Sequence, residues 1–138
     1  MYEKTIDEVI GDCDRMEVII DGRVCSLVRG EEQFNAVCQS FYEMNKDGYE
    51  MPGYGVSLDK AVREQLKEGL WLRLVYDERQ TRNEMPFDSL LVHIKDDHCG
   101  YELIREYDGK YQGRVFYYSL EKGKTMAEVG RLVATFCL

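Results

Sequence analysis

Two of the chain's three Asp-Gly dipeptides, those at 21–22 and 108–109, each stand between runs of alternating apolar and polar residues. Glycine reaches positive φ without a Cβ clash, so Asp-Gly in such a setting predicts a tight hairpin and antiparallel pairing. The first hairpin is M-E-V-I-I-D-G-R-V-C-S-L-V (16–28), and the second is Y-E-L-I-R-E-Y-D-G-K-Y-Q-G-R-V-F-Y-Y (101–118). A chain carrying both is committed to a largely antiparallel sheet.

Helical periodicity fills the spaces between. Thr5 and Glu8 form a capping-box pair around Ile6, Val9 and Ile10. Phe34, Val37, Cys38 and Phe41 recur at helical spacing in a segment from Glu31 to Lys46 that Gly48 ends. A second such segment begins near Ser57 with Leu58, Ala61, Val62 and Leu66 on one side. A last one carries Met126, Val129, Val133 and Phe136 behind Thr125 and Glu128. Strands are expected at L-W-L-R-L-V-Y (70–76), Leu90–Lys95, Tyr101–Glu106 and Lys110–Ser119, with polar, irregular chain over 78–89. The class is α+β. A mostly antiparallel sheet with two Asp-Gly hairpins and a three-stranded C-terminal meander carries two or three main helices on one face, all in a single domain over 1–138.

The formal charge of −8 opposes nucleic-acid binding and attraction to anionic membranes, and it suits a basic partner. Apolar runs such as Leu90-Leu91-Val92 are too short for a membrane-spanning helix, and residues 1–15 are acidic where a signal sequence would be apolar. Five cysteines, an odd number with no C-x-x-C spacing, suggest reduced thiols in a cytoplasm, with Cys25 and Cys38 serving as small hydrophobes.

One stretch resembles chemistry. H-I-K-D-D-H-C (93–99) holds both histidines, two acids and Cys99. Its reading depends on strand register. A three-residue loop, Tyr107-Asp108-Gly109, would set Glu106 against Lys110 and Glu102 against Arg114. If 96–99 is the preceding loop, Ile94 falls opposite Tyr101. His93 then sits on the outer face opposite Glu102, in a charged row with Lys95 and Arg114. On that basis 93–99 is a hairpin connection, with no catalytic site, no metal and no cofactor. The competing reading uses Cys99 with His93 or His98 as a nucleophile–base pair, or His93, His98 and Cys99 as metal ligands. All these ligands come from one short segment, and the acids beside Cys99 oppose a thiolate.

Two glycine patterns fail on spacing. E-K-G-K-T-M (121–126) lacks the upstream glycine of a phosphate loop, and P-G-Y-G-V-S-L (52–58) lacks the third glycine of a dinucleotide turn. Ten tyrosines remain as an unusual feature. Tyr49 and Tyr54 lie in a glycine-containing loop and Tyr107 beside a hairpin turn, where exposed rings suit recognition. The expectation is a non-enzymatic protein-binding or regulatory module, inhibitor-like or immunity-like toward a basic protein. A Cys/His- or metal-dependent enzyme built on 93–99 and a structural homo-oligomer, such as a homodimer, are the alternatives.

Overall fold

A computed structural model describes residues 4–53 and 55–137. Its nine strands are all antiparallel and form one open sheet, joined by four helices. Helix α1 (Ile6–Gly11) leads into the hairpin of β1 (Arg15–Ile20) and β2 (Arg23–Val28), followed by α2 (Glu32–Asn45). Short strands β3 (Tyr49–Met51) and β4 (Val56–Leu58) precede α3 (Asp59–Gln65). Long strands β5 (Leu70–Arg82) and β6 (Met85–Ile94) follow, then β7 (Gly100–Tyr107), β8 (Lys110–Arg114), β9 (Phe116–Ser119) and α4 (Ala127–Thr135). The strand order is β2-β1-β5-β6-β7-β8-β4, with β9 joining β7 to β3.

Side chains alternate across each strand, so neighbouring residues feed opposite faces. One face buries Met16, Val18, Leu72, Leu74, Leu90, Val92 and Leu103 against α1, α2 and α4. The capping box predicted for α1 is formed: the Glu8 amide donates to Thr5 Oγ1 and the Thr5 amide to Glu8 Oε1. On the other face, α3 brings Val62 over Ile19, Trp71, Leu91, Ile104, Tyr111 and Val115. Each fully buried aliphatic or aromatic chain contributes about 1.5–3 kcal/mol, so both faces are committed to burial.

The structure corrects several expectations. The Asp108-Gly109 loop has two residues, not three: Asp108 (φ 53°) and Gly109 (φ 78°) turn the chain, and Tyr107 pairs with Lys110. The extra residues enter farther along, where Gly113 takes a φ of 79°. The ladder resumes with Leu103 opposite Phe116 and Glu102 opposite Tyr117, so neither predicted charge pair forms. Gly113 is needed there because a Cβ would fall 2.2 Å from the Arg105 guanidinium, which donates at 2.8 Å to the carbonyls of Arg114 and Pro86.

The polar segment 78–89 is mostly strand. β5 and β6 extend through it to a turn at Asn83-Glu84, whose positive φ values (51° and 65°) are reached without glycine. Polar side chains hide the strand pattern because many have partners on the protein itself. Arg79 is paired with Asp88, and Arg82 with Glu50. The expected helix from Ser57 is shorter, since 56–58 pairs with β8 before α3 begins.

Cys25 of β2 and Cys137 beyond α4 form a disulfide, with Cα atoms 6.0 Å apart. This overturns the expectation of five reduced thiols and removes the cysteine argument for a reducing compartment. None of the described helices is long and apolar enough to cross a membrane.

Candidate functional site

The pairing of β6 with β7 runs over Ser89, Leu90 and Leu91, opposite Glu106, Arg105 and Ile104. The 93–99 segment starts on the last two residues of β6 and runs on past its end to Cys99. Its backbone is tied to the chain before α4. The Leu120 amide donates to the Cys99 carbonyl at 2.9 Å, and the Met126 amide to the His98 carbonyl at 3.2 Å.

His93 is on the expected face, away from Leu90, Val92 and Ile94, and shares a cleft there with Lys95 and Glu102, but it is not turned out to water as expected. It lies on the α3 side of the sheet, half-buried and stacked flat on Trp71 with ring centroids 3.8 Å apart. The reason is register within the neighbouring pair: His93 sits directly opposite Trp71 on β5. The Trp71 indole N–H donates to the Glu68 carbonyl at 2.8 Å, which fixes the ring beneath the imidazole. Burial, reinforced by the charges of Lys95 and His98, pushes the His93 pKa down to about 4. The imidazole is therefore neutral at physiological pH.

His93 and His98 line a cleft of about 360 Å³ together with Trp71, Lys95, Glu102 and Tyr117. The cleft opens beyond the end of α3, whose Gln65 forms part of its rim. Tyr117 is placed by an unusual contact. A Cβ at residue 100 would meet the Tyr117 hydroxyl at 2.3 Å, so Gly100 makes the room that this phenol occupies. The hydroxyl is held above its ordinary pKa by burial and by three neighbours, Cys99, Glu102 and Tyr49.

Tyr117 thus joins two regions that sequence reading kept apart. It is opposite Glu102 on β7 and opposite Met51 on β3, and Tyr49 starts that same β3 strand. Tyr49 was expected in a strandless loop, but it pairs with Ser119 while its side chain stays exposed. Tyr54 lies outside the described residues. Tyr107 sits at the other end of β7, under the guanidinium groups of Arg79 and Arg105, and takes no part in the cleft. Sequence reading missed Glu102, Trp71 and Tyr117 as site residues. The signal was cross-strand register, which the mistaken loop length obscured.

Of the remaining candidates, only His98 shares the cleft with His93. His98 is exposed and its Nδ1 lies 3.0 Å from Asp97, whose pKa that contact lowers. Cys99 is exposed and does not line the cleft with the histidines. Among the described residues, no group of three His, Cys, Asp or Glu side chains is placed to hold a metal ion.

Beside the cleft runs an open edge. β4 ends the strand order and β3 pairs only with β9, so Tyr49–Met51 and Val56–Leu58 border the sheet. Tyr49 is 59%, Val56 65% and Leu58 69% exposed, the three most exposed large apolar side chains among the described residues. Gly53 allows this edge to close on the sheet: a Cβ there would lie 2.1 Å from the Val115 carbonyl oxygen. No family model, curated protein or solved structure matches this chain.

Proposed function

We propose that this chain is a protein-binding module whose recognition surface is the edge made by β3 and β4, and that its partner is a basic protein. One observation carries the reading. Three large apolar side chains are exposed within ten residues of chain, on strands that have an unpaired side. Single exposed apolar residues are normal, whereas a run of them on one border marks an interaction surface. Aromatic anchors surrounded by polar groups are the usual chemistry of such surfaces. The net charge of −8 supports a basic partner, because complementary charge speeds encounter and excludes wrong partners.

The test is affinity capture from native extract with the wild-type chain and with Val56→Glu/Leu58→Glu. A Val24→Glu chain serves as the control, since Val24 is also exposed but lies on β2 at the opposite border. The expected result is a defined protein retained by wild type and by the control, and lost with the double variant. Equal retention by all three chains would overturn the reading, as would a captured protein that is itself acidic.

A further inference from the structure

Cations in this protein are repeatedly held between an aromatic ring and a carboxylate. Arg63 lies 5.3 Å over Tyr111 and 2.8 Å from Asp59, while Arg73 lies 5.7 Å over the same ring and 2.8 Å from Glu17. Arg79 lies over Tyr107 and pairs with Asp88 and Asp108. Arg82 lies over Phe116 and pairs with Glu50, and Lys46 lies over Tyr42 and pairs with Glu43. The unit is physically sound. The ring quadrupole attracts the cation from one side while a carboxylate accepts its hydrogen bonds from another.

The cleft holds the same ring and carboxylate with no cation paired to the carboxylate among the described residues. Glu102 and Tyr117 are direct cross-strand partners of β7 and β9, so both side chains rise from the same face. Among the described residues no cation pairs with Glu102, which is exposed. Lys95 lines the cleft but lies beyond ion-pair distance of Glu102, and its charge acts on His93 instead. The groups that act on the Tyr117 hydroxyl, namely Cys99, Glu102 and Tyr49, all raise its pKa. At Tyr111, by contrast, Arg73 and Arg63 act in the opposite sense. Neutral His93 adds no positive charge of its own near pH 7.

We infer that the Glu102–Tyr117 cleft receives the guanidinium of an arginine side chain carried by the partner protein. The inference rests on the protein-binding reading above and names the chemistry that its basic partner would present. A guanidinium suits the site better than an ammonium, because its plane stacks on a ring while its edge donates two hydrogen bonds to one carboxylate. The cleft, at about 360 Å³, is large enough for that side chain.

The test uses the full chain and two small probes, N-acetyl-arginine amide and its neutral isostere N-acetyl-citrulline amide. Amide resonances of Gly100, Glu102 and Tyr117 are followed during each titration at low salt. The expected result is saturable shifts at these resonances with the arginine probe alone, and affinity weakened at least about tenfold by Glu102→Gln. Glu102 is exposed, and an unchanged spectrum away from the cleft shows that the variant is folded. The inference is overturned if these resonances do not move, if citrulline moves them equally, or if Glu102→Gln binds as well as wild type. Such a failure leaves the edge variants of the capture experiment unaffected, so the two ideas fail separately.

Discussion

The imidazole of His93 lies on the indole of Trp71 with the two planes only 6° from parallel. That contact decides what the histidine can do. Its base strength is reduced because protonation would place a charge in a half-buried stack, and Lys95 and His98 oppose that charge further. A general base with a pKa near 4 is weak at neutral pH. Cys99 does not line the cleft that His93 faces, so the stack places no thiol beside the imidazole there.

The stack makes stability depend on pH in a defined window. The folded pKa, about 4, is below the ordinary value of 6.5, so the unfolded chain binds more protons between those limits. The stabilising contribution of neutral His93 is therefore complete above pH 6.5 and is lost as pH falls toward 4. His93→Phe keeps a ring on Trp71 and cannot protonate, so its stability should fall less over that window. An NMR titration gives the midpoint directly. A His93 midpoint near its ordinary value would show that the ring is solvated and the stack open.

The Cys25–Cys137 disulfide joins the end of α4 to β2 across 112 residues of sequence. Closing a loop of that size restricts the unfolded chain, and stabilisation of about 2–5 kcal/mol is expected. Cys137→Ser should lower the unfolding free energy of the oxidised protein, read from a urea titration, by that amount and leave the midpoint under reducing conditions nearly unchanged. Cys25 and Cys137 should also appear in one cross-linked peptide after non-reducing digestion. Equal midpoints for oxidised wild type and variant would show that the bond does not restrain folding.

Much of this architecture is legible in the residues. Asp21-Gly22 and Asp108-Gly109 mark two of the hairpins, and Phe34, Val37 and Phe41 mark the helix that covers the larger core. What stays hidden depends on partners far away in sequence. Glu50 draws Arg82 inward, so a polar stretch becomes strand, and Arg105 requires Gly113, so the bulge lies beyond the turn. The pairing of Glu102 with Tyr117 follows from that bulge, and it is what turns scattered polar residues into one side of a cleft. Cys25 and Cys137 are likewise brought together only by the packing of α4 beside the sheet.

Arg82 supplies the most direct energetic test of those distant partners. Its side chain is 6% exposed, it pairs with Glu50 through both terminal nitrogens, and it donates to the Lys4 carbonyl at 3.0 and 3.2 Å. A cation so placed depends on its anion, because water cannot replace the lost bonds. Glu50→Ala should therefore cost about 3 kcal/mol, well above the 0–1 kcal/mol typical of an exposed pair. Replacing both partners together, Arg82→Met with Glu50→Leu, removes the charge along with its requirement. That double variant should unfold within about 1 kcal/mol of wild type in a urea titration. If Glu50→Ala costs no more than a surface pair, the guanidinium has reached solvent. The link between the β3 border and the β5–β6 hairpin is then packing against Phe116 rather than charge.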